Sequence, residues 1–156
     1  MTWACHTWTR RQYWHVHRHL GLIAGAVLMA GASPAPVCTA PATHAMLVAE
    51  LFFGRDIAPQ YRQALGPMVT EAQWRGFERT VLTPAFPDGL TEIDARGQWR
   101  DPATGTIVRE PTKTVIIAAP DTDQTRDRLT EVMNRYRSEF HQQSVGLILR
   151  QDCANF

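Results

Sequence analysis

Lysine is almost missing from this chain. Lys113 is the only one in 156 residues, so arginine carries the rest of the positive charge. Residues 1–32 hold Arg10, Arg11 and Arg18 and no acid, and within a formal total of +1 this leaves the following body at −2. Nucleic-acid binding rests on clustered Lys and Arg, so a mildly acidic body without a basic stripe excludes that partner. Histidine is sparse as well. Past residue 32 only His44 and His141 remain, neither with a partner at ligand spacing, and no metal or other cofactor is expected. There is no Gly-rich phosphate loop and no G-x-S-x-G nucleophile turn. Uninterrupted apolar runs also stay short of the ~20 residues that a membrane span needs.

What is present at the start reads as an export leader. Arg10, Arg11 and Arg18 precede the apolar run Leu20–Ala30, and Ala30-Gly31-Ala32 follows as a small-residue cleavage pattern. Residues 1–32 are expected to be a signal peptide cut before Ser33, with a periplasmic or secreted product and no span left after cleavage. His15, His17 and His19 would leave with it, as would Cys5. Cys38 and Cys153 remain, and two cysteines in an oxidising compartment are expected to pair. Lipidation of Cys38 is the competing reading, but Ala35-Pro36-Val37 before it makes a poor lipobox.

The mature chain opens with a Pro/Ala/Thr-rich arm, residues 33–44, and one domain over 45–156. Met46-Leu-Val-Ala-Glu-Leu-Phe-Phe53, closed by Gly54, predicts a buried strand. Asp56–Met68 reads as a loop. Thr70 and Gln73 then form a capping box, with Val69 and Trp74 at hydrophobic-staple positions. The helix they open has the stripe Trp74, Phe77, Val81, and Pro84 is expected to stop it. Residues 90–119 read as one long β-hairpin turning at Pro102–Gly105, with a bulge or unpaired position expected at Pro111. Asp121 is read as the cap of a second helix, whose stripe is Leu129, Val132, Met133, Tyr136 and Phe140. Ser144–Leu149 is the last strand.

This order, βαββαβ, predicts a ferredoxin-like α+β fold: an antiparallel sheet in the order 4-1-3-2, with two helices on one face. It places Cys38, before the first strand, beside Cys153, after the fourth. Ile117 and Leu147 belong to strands that are apolar nearly throughout, which predicts a covered open face and self-association there.

The segments Ala49–Arg55, Phe86–Thr91, Gly97–Asp101 and Ile107–Lys113 occur in the order found in the bacterial domain-of-unknown-function 3574 family, which the chain resembles over roughly residues 45–153. The resemblance implies an envelope location and no activity.

Candidate chemistry reduces to polar residues on apolar strands. Glu50, in the middle of the first strand, needs a partner if buried, and Lys113 or Arg150 could supply it. The alternative is a pocket with Glu50 as acid or base and Arg55, Trp99, Arg100, Arg109 and Glu110 around it. Glu92 and Asp94 share a strand face and read as solvated carboxylates. Two function classes follow: a non-catalytic module binding an envelope partner or small ligand, and a small cofactor-free enzyme like the dimeric ferredoxin-like ones. Glu50 and Arg55 facing a cavity would favour the second.

Overall fold

The computed structural model describes residues 35–155, so the expected leader and cleavage site, with His15, His17 and His19, lie outside the described residues. Four strands form one sheet: β1 His44–Gly54, β2 Thr91–Arg100, β3 Ile107–Ala119 and β4 Gly146–Ala154. Their order is β2-β3-β1-β4 with every neighbour antiparallel, the arrangement anticipated from the element order. β1 is central because its apolar residues are the least tolerant of an edge. Leu47, Ala49, Leu51 and Phe53 are all buried.

More helix is present than the two expected segments. A short 3-10 turn (Pro59–Tyr61) and α1 (Arg62–Leu65) occupy what reads as loop. α2 (Glu71–Phe77) begins as anticipated, with the Thr70–Gln73 capping box closed and Val69 and Trp74 both buried. Pro84 does not stop it. The rod continues through a π-helical stretch, Glu78–Leu82, into α3 (Thr83–Ala85). Thr83 donates five residues back, to the Glu78 carbonyl; this wider turn relieves the crowding that a proline ring imposes on an α-helix. α4 spans Asp123–Glu139 and is capped by Thr122, one residue later than expected, through a 3.1 Å bond from the Thr125 amide.

These helices close one side of the sheet. Phe53 is ringed by Trp74, Phe77 and Tyr136 with centroids 5.2, 6.0 and 4.8 Å away, and Leu129, Val132 and Phe140 complete the core. Ile117 is buried in this core and Leu147 packs against it. Neither lies on the open face, because register pairs Ala49 with Ile117 and Leu51 with Leu147. The open face carries the alternate residues, among them Val48, Glu50, Phe52, Ile93, Ile116 and Ile148.

No bulge forms at Pro111, which pairs with Arg96 in an unbroken β2–β3 register. β1 ends opposite Thr112; the Pro111 carbonyl accepts from the Arg55 amide at 3.0 Å, and the Arg55 carbonyl, which Pro111 has no N–H to fill, accepts from the Val69 amide at 2.8 Å. β4 extends five residues beyond Leu149 and carries Cys153 inside it, opposite Ala45. Cys38, in the arm, is bonded to Cys153, with Cα atoms 5.5 Å apart.

Candidate functional site

β3 outruns β1. Beyond Thr112 the β2–β3 hairpin continues alone for five more residue pairs, to Arg100 opposite Ile107. The overhanging hairpin, the 56–62 segment and the 141–146 turn enclose a cleft of about 590 Å³ on the open face. Phe52, Thr112 and Thr114 line its sheet side, and Trp99, Val108 and Glu110 line the hairpin side.

Glu110 crosses the floor. Its carboxylate accepts the Trp99 indole N–H at 2.7 Å and the Asp56 amide at 3.0 Å. A Cβ on Gly54 would sit 2.6 Å from both Glu110 oxygens, and one on Gly97 would sit 2.7 Å from the Thr112 hydroxyl. Glycine at 54 thus leaves the carboxylate its place, and glycine at 97 leaves the Thr112 hydroxyl its own. The Gly54 carbonyl is in turn held from the core side by the Tyr136 hydroxyl at 2.8 Å, and burial raises the pKa of that phenol. At the mouth, Tyr61 stacks on His141 with centroids 4.1 Å apart and planes 11° apart. His141 holds a left-handed backbone, φ +50°, and Gln142 beside it donates to the Asp56 carbonyl at 2.9 Å.

The candidate residues therefore separate into several places. Trp99 and Glu110 meet in the cleft. Arg100 and Arg109 are exposed side chains of the hairpin. Glu50 is on the open face and takes Arg150, not Lys113, as its ion-pair partner. Arg150 is 46% exposed, so its charge stays solvated when Glu50 loses its own. Glu50→Gln should leave the melting temperature nearly unchanged; a large loss, recovered on removing Arg150, would restore it as a structural pair.

Arg55 and Lys113 lie on the helix side. Arg55 is buried and donates through Nε to the Val69 carbonyl at 2.8 Å and through Nη1 to Glu71. Lys113, its side chain 3% exposed, reaches Glu92 and Asp94 at 2.6 Å each and Glu71 at 3.2 Å. Glu92 and Asp94 are thus not simply solvated: the cation they hold is the chain's own lysine. Burial works against the Lys113 charge, but hydrogen bonds to Asp94, Glu92 and Glu71 outweigh it and raise its pKa. Glu71 is pushed up by burial and more strongly down by Lys113 and Arg55, and Asp94 is lowered by its bond from Lys113.

Sequence reasoning missed Gly54, Gly97, His141 and Gln142 as parts of one cleft. A glycine inside a strand is a usable signal of close approach, and both Gly54 and Gly97 offered it. The cleft's far wall, built from two loops 80 residues apart, has no local signature. Among the described residues no group of three His, Cys, Asp or Glu is placed to hold a metal ion.

Two solved structures share this fold. The chain is similar to a phage SAM lyase in complex with S-methyl-5'-thioadenosine, at a TM-score of 0.54 and 15% identity, over 71% of this chain and 90% of the other. The apo state of a phage SAM lyase is similar at a TM-score of 0.51 and 16% identity, over 70% and 87%. No curated protein matches. Residues 48–156 match the family described as Protein of unknown function (DUF3574), and the chain belongs to that family.

Proposed function

We propose that this chain is an exported small-molecule binding module whose ligand sits in the open-face cleft above Glu110. The observation that carries this reading is the glycine-cleared carboxylate on the floor of a 590 Å³ cleft, within the ~300–1,000 Å³ range of ligand sites. Gly54 makes room for this carboxylate and Gly97 for the Thr112 hydroxyl, and both groups belong to the same cleft lining. The βαββαβ order supports a ferredoxin-like assignment with an added α1 region and an overhanging hairpin. The Cys38–Cys153 bond is consistent with an oxidising, periplasmic or secreted location, and an exported product whose mass begins at Ser33 would test the processing step.

S-Methyl-5'-thioadenosine is the first ligand to titrate, because a protein of the same fold is described with it. Saturable quenching of tryptophan fluorescence, absent in Trp99→Phe, is the expected result. No binding by this or by calorimetry would remove the thioadenosine, and an unresponsive cleft across a fragment series would remove the reading. Incubating wild type and Glu110→Gln with SAM and following its consumption tests whether Glu110 also works as a base.

The open face has a second role in this reading. Ile93 and Ile148 stand 46% and 49% exposed on it, which supports pairing with a second copy of the chain. Ile148→Arg should give a smaller species than wild type on size exclusion with light scattering; identical masses for the two would exclude this face as the interface.

A further inference from the structure

The charge of the cleft points to the class of its ligand. Among the described residues every salt bridge lies elsewhere: on Glu50, Glu71, Glu92, Asp94, Asp121 and Asp152. Glu110 is half-buried and has two neutral donors, the Trp99 indole and the Asp56 amide, but no cation. The two other carboxylates on the cleft lining, Asp56 and Asp101, have none either. The lining also holds two arginines, Arg62, which is turned to the Ile57 carbonyl at 2.7 Å, and the exposed Arg96, and neither forms an ion pair with Glu110. Elsewhere this chain neutralises its half-buried strand carboxylates internally, Glu50 with Arg150 and Glu92 with Lys113.

We infer that the cleft selects an organic cation, an ammonium or sulfonium group on an apolar or aromatic body, with Glu110 as its counter-charge. This deepens the binding reading and rests on it. A partly desolvated carboxylate repels anions and gains from an opposite charge that does not compete for its two hydrogen bonds. A methylated onium centre meets that condition because it has no strong donors and seats against apolar surface. Trp99 and Phe52 supply aromatic surface beside the carboxylate, the other half of a cation-binding cage. Thr112 and Thr114 offer hydroxyls for orienting the rest of the ligand.

A pair of probes of equal shape separates charge from fit: (4-hydroxyphenyl)trimethylammonium and its neutral counterpart 4-tert-butylphenol. Both are titrated into the wild-type mature protein and followed by the Trp99 indole and Gly54 and Gly97 amide resonances. The cation should bind about tenfold more tightly, against the greater hydrophobicity of the neutral probe. Glu110→Gln, which keeps the shape and can still accept from Trp99, should abolish that preference while the amide spectrum stays dispersed. Equal binding of the two probes by wild type, or tighter binding of the phenol, overturns the cation inference and leaves the cleft as a ligand site. If neither probe moves these resonances while S-methyl-5'-thioadenosine does, the cation inference again falls alone. If all three leave them unmoved, the inference and the binding reading fall together. The wild-type comparison decides even if the Gln variant fails to fold.

Discussion

Cys38→Ser/Cys153→Ser should unfold at a markedly lower urea concentration than oxidised wild type, by about 4–5 kcal/mol if chain entropy is the whole effect. The bond closes a loop with a sequence separation of 115, enclosing nearly the entire domain. Its main action is therefore on the unfolded ensemble, which loses the freedom to separate its ends. A native contribution adds to this. β4 is an edge strand, paired only to β1, and Cys153 ties its far end to the arm. Reduced wild type should match the double serine variant in midpoint. Equal midpoints for oxidised wild type and the variant would mean that the bond does not constrain the unfolded chain. Loss on this scale is a large share of a small domain's stability, so protein made in a reducing compartment should accumulate less.

Lys113→Met should be the most damaging single change at the sheet's polar edge, by about 2–3 kcal/mol. Stranding a fully buried partner costs ~3–5 kcal/mol, but Asp94 and Glu71 are 79% and 49% exposed and can rehydrate. The loss concentrates on Glu92, 25% exposed, which must also accept the Trp74 indole N–H at 2.9 Å. Adding Glu92→Gln removes the stranded charge and keeps an acceptor for Trp74, so the double variant should recover part of the loss. No recovery would mean that Lys113 acts through its ammonium over the Trp74 ring, Nζ 6.0 Å from the centroid, rather than through Glu92. Acidity gives a second signature. Glu71 and Asp94 sit below their usual 4.5 and 3.8 in the folded state, so they stabilise the protein above those values. That stabilisation disappears as pH falls through the depressed folded values. Wild type should lose melting temperature on acidification below about pH 4.5, and the Met variant should lose less. Lys113 has the opposite sign: raised above 10.5, it stabilises below that pH and stops doing so as pH climbs through its folded value.

Local signals were enough for most of the elements. Thr70 and Gln73 close their box because both groups sit within one turn, and the Leu129–Phe140 stripe is buried because helical period alone sets its face. The right-handedness of the two crossovers then limits how four strands can neighbour one another, which gave the strand order, and that order brought Cys38 to Cys153. Where one local rule met another, only the structure could arbitrate: Pro84 forbids an α-turn but not the π-turn that precedes it.

The partners of strand residues were a different matter. A side chain's face follows from period two, but its neighbour follows from register, and one residue of slip reverses every pairing. Glu50 with Lys113 and Glu50 with Arg150 were therefore equally open from the sequence. The observed register sets Lys113 opposite Phe53 on the helix side and Arg150 near Glu50 on the other. The cleft was less legible still. Glu110 and Trp99 could be nominated, but the volume in front of them exists because β3 outruns β1 and because residues 56–62 and 141–146, far apart in sequence, close the other side. Composition and periodicity determined the elements and their order, since those depend on neighbours along the chain. The site depends on neighbours across it, and tertiary structure alone decided those.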